Sequence, residues 1–412
     1  MIKSPPHHES RTLSVRVVDE LSGVNPAEWD ALEHGDSPFL RTGFLRALES
    51  SGSIGAGSGW DPSYLLVEAQ PAQSGGGAQG AEEPSGRPRL RGAVACFRKE
   101  HSYGEYIFDF GWARASMRAG LPYYPKLVVA APVTPATGRR LLFASDAGPE
   151  ERQQIVTLLC AAVRELADAQ QCSSIHWLFT TAEEQRVLEQ HGYLSRASFQ
   201  FHWHNAGYGD FETFASTLSS RKRKQIRKER RRARDAVDAI DLVRGRELSS
   251  ADLDALDRFY RTTTARHGGE AYLRPGFFTV LAESMPDEVC FVRASRAERV
   301  IAGALYLETG TALYGRYWGC SEEIEFLHFE LAYYQGIEHC IRRGLSLFEA
   351  GAQGEHKLLR GFSPSQTYSS HWIRHPGLRD GVRRFLLEES TSVQAYMEEL
   401  DRFTPYKRQN GT

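Results

Sequence analysis

Apolar positions follow two rhythms along the chain. Three-and-four spacing marks amphipathic helices in PAEWDALEHG, RTGFLRALESSG, PEERQQIVTLLCAAVRELADAQQ and AEEQRVLEQHG, the last stopped by Gly192. Short runs rich in β-branched and aromatic residues predict strands near 63–69, 90–98, 106–109 and 126–130, then in SSIHWLFT and ASFQFHWHN. A comparable order begins again after Tyr208. It runs through the helix pair of DFETFASTLSSRKRKQIRKERRRARDA, the strand IDLVRG, and the helices SSADLDALDRFYRTTTARHG and PGFFTVLAESM. The strands VCFVRAS, VIAGALYLET and TALYGRYWGC follow, then the helix FLHFELAYYQGIEHCIRRGL, the strand SLFEAGA and a last strand, QTYSSHWI. The pattern predicts an α/β protein of two similar halves, 12–207 and 208–412, behind a disordered start at 1–11. Residues 69–89, AQPAQSGGGAQGAEEPSGRPR, have nothing to bury and read as a flexible insertion between two adjacent strands.

Composition narrows the function classes. The 412 residues are 41% hydrophobic and 25% charged, with a formal net charge of −2, so any affinity for polyanions must come from a local patch. The six cysteines form no CxxC pair, which predicts reduced, buried thiols in a cytoplasmic protein. MIKSPPHHES lacks the apolar core of a secretory signal, and no run approaches the ~20 apolar residues of a membrane span.

Chemistry concentrates in the second half. In GAQGEHKLLRGF, Gly351 and Gly354 follow a buried strand and precede Glu355, His356, Lys357 and Arg360. Glycines there let the backbone approach a ligand. The plainer reading is a glycine turn with solvated charges. In GRYWG, strand alternation puts Arg316 and Trp318 on one face and Tyr317 on the other. Along the long helix, Leu327, Leu331, Tyr334, Ile337, Ile341 and Leu345 trace an apolar face that leaves His328 and Glu330 to one side. Residues 221–234 hold ten Lys or Arg and a single acid, Glu229, which suits either a polyanion or acidic surface of the same chain. In the first half, EHSYGEYIFDFGW and YYPKL group His101, Tyr103, Glu105 and Lys126 as an acceptor-binding surface, or as an aromatic hairpin between the halves. His202 and His204 lack the partners of a metal site.

This order of elements resembles the GNAT (GCN5-related N-acyltransferase) fold. HSYGEYIFDFGWA, YYPKL, QFHWHNAGY, RKRKQIRKERR, LYGRYWG, LHFELAYYQ and GAQGEHKLLRGF, taken together, resemble the FemAB-like group of predicted N-acyltransferases of peptidoglycan biosynthesis or recognition, over roughly 12–400. The resemblance implies two GNAT-like domains and transfer of an acyl or aminoacyl group from a thioester or ester to an amine, with a cell-wall precursor as the suggested acceptor. It casts Glu355, His356, Lys357, His328 and Glu330 as catalytic candidates. Arg316, Tyr317, Arg360, His101, Tyr103, Glu105 and Lys126 are read as substrate contacts, and the charge density alone makes Arg227, Arg230, Arg231 and Arg234 candidate polyanion contacts. No metal is implied. The donor stays open between acyl-CoA, an acyl-carrier protein and aminoacyl-tRNA. Where CoA-dependent relatives offer a pyrophosphate loop, this chain has GCSEEIEF, whose Glu322, Glu323 and Glu325 are expected to cap the helix themselves and repel a diphosphate. Two rival readings are a non-catalytic binding protein for a glycan or anionic polymer, and an RNA-binding module built on the basic helix.

Overall fold

A computed structural model describes residues 12–70, 87–266, 269–351 and 354–407. The first half supplies strands β1 (Leu13–Val18), β2 (Asp61–Ala69), β3 (Arg89–Lys99), β4 (Lys126–Val129), β5 (Leu142–Phe143), β6 (Ser174–Thr180) and β7 (Leu194–His204). The second supplies β8 (Ala239–Arg244), β9 (Val289–Arg296), β10 (Arg299–Glu308), β11 (Ala312–Cys320), β12 (Leu347–Glu349) and β13 (Ser363–Ile373). All thirteen join one mixed sheet in the order β1-β2-β3-β4-β6-β13-β7-β12-β11-β10-β9-β8, with β5 paired to β3. The sheet does not break near residue 207. Strand β13 lies between β6 and β7, and β12 pairs with β7.

Among the described residues two strand pairs run parallel, β4 with β6 and β11 with β12. Parallel neighbours need a crossover. The helix Pro149–Ala169 makes the first, and the helical run from Leu327 to Arg343 makes the second. The predicted apolar face of that run, Leu327 through Leu345, is buried throughout. A π-helical turn, Glu330–Tyr334, interrupts it.

One sheet face carries a core that crosses both halves, from Trp29, Tyr64 and Phe97 to Phe291, Leu305 and Tyr314. The opposite face has separate cores, one around Leu159, Ile175 and Trp177, the other around Trp203, Tyr306, Ile337 and Phe348. Phe39 meets Tyr314 edge-on at 5.2 Å and Phe44 meets Phe277 at 5.9 Å, so first-half aromatics pack directly on the second half.

Two sequence expectations change. Residues 106–109 form no strand; a loop with positive φ at Gly104 and Tyr106 leads into the helix Phe110–Arg118. Its acids turn inward to meet Lys126, which alternation alone does not allow for. In β11 the register jumps from Leu305↔Tyr317 to Tyr306↔Gly315, leaving Arg316 as a bulge. Arg316 and Tyr317 therefore both face the shared core while Trp318 faces the other side, against the alternation expected. The insertion 69–89 falls largely outside the described residues, as does 1–11. The flanking strands β2 and β3 do pair directly.

Candidate functional site

Strands β11 and β12 are in register only from Ala312↔Leu347 to Tyr314↔Glu349, and then diverge. Beyond Glu349 the chain turns through Gly351 (φ 82°) and Gly354 (φ 110°) into the short helix Glu355–Arg360. A side chain at either glycine would be strained, which explains both. Lys357 enters the opening, and its buried Nζ donates to the Gly351 carbonyl at 2.7 Å. Burial, reinforced by the nearby Arg316 charge, holds the ammonium pKa down to about 7.

Opposite lies a group of buried charges. The Arg316 guanidinium stands 3.9 Å from the Glu349 carboxylate and 4.5 Å above the Phe39 ring. Arg316 Nε and Nη2 and Glu349 Oε2 have no hydrogen-bond partner. Burial pushes Glu349 up to about 7, while Arg316 and Arg140 pull the other way. His202 of β7 lies 3.8 Å from Glu349, and burial pushes its pKa down to about 3, so the imidazole is neutral. Phe39 and His202 belong to the first half and Arg316, Glu349 and Lys357 to the second, so both halves build the opening.

The other second-half candidates divide. His356 accepts or donates at 2.9 Å with the Tyr333 hydroxyl. His328 stacks on Trp318 at 5.0 Å, with His356 6.1 Å away, and burial holds it down to about 4. Both flank the opening. Glu355 is exposed and accepts from the Tyr396 hydroxyl at 2.6 Å, on the C-terminal helix. Glu330 is fully buried and occupied by Arg230, Arg234 and Gln335. Arg360 donates to Glu229 at 3.1 Å and covers the Phe329 ring. Tyr317 packs against Tyr260 and Phe278. Each of these four is engaged by other side chains of the same chain.

The first-half candidates are not one surface. Lys126 directs its three donors to Ser102 (2.7 Å), Glu105 (2.8 Å) and Asp109 (2.5 Å), all buried. Tyr103 stands exposed, and the half-buried His101 accepts from its backbone N–H. Beside them Lys99, unremarked in the sequence, donates to the carbonyls of Gly59 and Tyr103 and lies 3.7 Å over Trp60.

The basic helix Ser220–Asp235 has a core face, formed by Ile226, Glu229, Arg230 and Ala233. Arg230 and Arg234 bind Glu330 and Glu338, and Arg227 binds Glu212. Of the four proposed polyanion contacts only Arg231 is exposed without an acidic partner among the described residues. With Arg221, Lys224 and Lys228, likewise exposed and unpaired there, it forms one outward stripe at three- and four-residue spacing. The glutamates of GCSEEIEF do not cap the helix either; Glu322, Glu323 and Glu325 pair with Arg296, Arg266 and Arg232. Their charge is already met, so their repulsion of a diphosphate is weaker than the sequence suggests.

Sequence reading missed Glu349 and His202 as a pair. The available signal was a lone acid inside the apolar strand SLFEAGA. Cys290, Glu308 and His339 also come within 4.8 Å, but Arg244 and Arg343 both donate to Glu308. Two surface pockets, of about 320 and 560 Å³, lie along the helix Ser250–Arg266, away from the diverging strands.

A mixed sheet whose parallel pair opens beside a crossover helix, once in each half, is the architecture of GNAT-like acyltransferases. The chain belongs to the FemAB-like family, described as one of peptidoglycan biosynthesis and recognition, which matches residues 20–408. Among solved structures it is similar to FemX, at 11% identity and a TM-score of 0.51, over 89% of this chain and 100% of that one. A protein of unknown function from Bacteroides thetaiotaomicron VPI-5482 aligns at 10% identity and a TM-score of 0.47, over 87% and 99% of the two chains. L-PGS from Bacillus licheniformis aligns at 10% and 0.44, over 72% and 86%. No curated protein matches. No described helix is long and apolar enough to cross a membrane.

Proposed function

We propose that the chain transfers an acyl or aminoacyl group to an amine at the opening between β11 and β12, with a cell-wall precursor as acceptor. The observation that carries this is Lys357, buried where the strands part and held near pH 7. At that pH a substantial fraction is neutral and can take the proton that an attacking amine must lose. The unpartnered N–H groups of Arg316 are the donors best placed for the oxyanion of the tetrahedral intermediate. His356 and His328, held neutral at pH 7, offer a relay to solvent.

In this reading the halves 12–207 and 208–412 act as two GNAT-like domains sharing one site. The donor is a large anion, an aminoacyl-tRNA or an acidic carrier protein, met by the stripe Arg221, Lys224, Lys228 and Arg231. A cytoplasmic setting is supported by six free, buried cysteines.

The test is single-turnover transfer from acetyl-CoA, acyl-carrier protein and aminoacyl-tRNA to amine acceptors. Wild type should turn over with one donor, and kcat/KM should rise through about pH 7. Lys357→Arg should not restore activity, because a guanidinium stays protonated. Full activity in Lys357→Met would sink the assignment.

A further inference from the structure

The segment 103–118 presents an outer surface that the proposed reaction leaves unused. Tyr103, Phe108 and Met117 are 57%, 63% and 76% exposed, unusual for side chains so apolar. Phe110 bridges them: its ring lies 5.9 Å from Tyr103 and 6.2 Å from Phe108, and it stands seven residues, two helical turns, before Met117. On the helix Phe110–Arg118, Trp112 and Ser116 face inward, so Phe110, Met117, Arg114 and Arg118 share the outward side. Arg114 and Arg118 are exposed and have no acidic partner among the described residues. The segment's two acids, Glu105 and Asp109, are buried on Lys126. The segment's outer side is thus aromatic and apolar at its tips and cationic beside them, with its own acids buried; the nearby Glu389 is paired with Arg196.

We propose that this face docks the protein on an anionic lipid bilayer. Charge complementarity selects an anionic partner. The small number of apolar tips argues against a protein partner, which needs about 800 Å² from each side. Shallow insertion of a few aromatic or apolar side chains beside arginines is enough for a headgroup interface. Docking places the first half against the bilayer without any membrane-crossing helix, and it does not depend on the transfer reaction.

The full chain should be sedimented with vesicles of phosphatidylcholine alone and of phosphatidylcholine with an equal part of phosphatidylglycerol. Wild type should bind the anionic vesicles and not the neutral ones, less so as salt rises. Phe108→Ser with Met117→Ser, and separately Arg114→Glu with Arg118→Glu, should each lower the bound fraction roughly tenfold. Circular dichroism spectra should stay unchanged. Serine replacements of Arg221, Lys224, Lys228 and Arg231 should leave binding intact. The proposal is overturned if wild type ignores anionic vesicles, or if only the stripe variant loses binding. It is also overturned if the chain dimerises without lipid through this face, with the Phe108 and Met117 variant monomeric.

Discussion

Each half opens one parallel strand pair beside a crossover helix, yet the two openings differ in what fills them. Past Val129 and Trp177, the β4·β6 opening is plugged by the chain itself. Ala130, Ala131, Val133 and Ala136 are buried there, and Gly138 donates to the Phe179 carbonyl at 3.1 Å. The buried Arg140 guanidinium donates to the carbonyls of Leu178 (3.0 Å) and Ala136 (2.7 Å), and Glu184 accepts from the backbone N–H groups of Arg140 and Leu141. Both charged side chains brought in, Arg140 and Glu184, are fully met, although the Thr134 and Thr137 hydroxyls and the Trp177 indole N–H lack partners. Past Tyr314 and Glu349, the β11·β12 opening holds a lysine near neutrality and a guanidinium and carboxylate too far apart to bond. Buried polar groups are almost always satisfied. The charged groups of the first opening obey that rule. In the second, Arg316 and Glu349 depart from it, which is the difference the proposed site rests on.

The comparison breaks if Lys357 is structural too. Lys357→Met should cost ~10³-fold in transfer rate, the range of a lost general base, while the melting temperature holds or rises because an apolar chain replaces a desolvated amine. A large loss of stability instead would make the two openings alike. At the plugged opening, Arg140→Leu should show the reverse: roughly 3 kcal/mol less stability in urea titrations, from carbonyls left without donors, and activity per folded molecule near wild type. A similar contrast holds on the basic helix. Arg230→Ser leaves the buried Glu330 with only Arg234 and Gln335 and should cost about 2 kcal/mol, whereas Arg231→Ser should change stability by less than about 0.5 kcal/mol. Equal effects would mean that the paired and free faces are misassigned.

Acid adds a smaller test. His202, and the pair His176 and His371 bonded at 2.7 Å, are buried with pKa values pushed below the usual imidazole range by desolvation. The unfolded chain takes up these protons near pH 6.5 and the folded one does not. Their stabilisation is therefore full above pH 6.5 and falls as pH drops, by up to about 1.4 kcal/mol per unit for each imidazole. Glu105 and Glu349, both raised to about 7, act in the opposite sense between about pH 4.5 and 7. Replacing His176 and His371 by Gln should flatten the acid limb of a denaturation series. An unchanged limb would place the transition elsewhere. The smallest effect expected is on salt dependence. If RNA is the donor, serine at Arg221, Lys224, Lys228 and Arg231 should reduce the slope of log affinity against log salt by roughly 0.7 for each phosphate no longer neutralised. A slope unmoved by these changes would remove the stripe from the donor site.

Sequence periodicity by itself determined most of the helices and strands, the apolar face of the helical run from Leu327, the glycine-flanked strand end and the density of cations at 221–234. These depend on spacing along one element, which a linear pattern records. Only tertiary structure decided what each charge meets. Arg230 and Arg231 are neighbours in sequence, yet one turns about 100° away from the other, inward to a glutamate a hundred residues downstream. The bulge at Arg316 depends on pairing with β10 and moves the side chain to the face of Phe39. The embedding of β13 between β6 and β7 needs residues nearly two hundred positions apart to pair, and so does the joining of both halves into one sheet. Burial and partnership are properties of what packs against a residue. For charged side chains that partner is set by the fold rather than by neighbours along the chain.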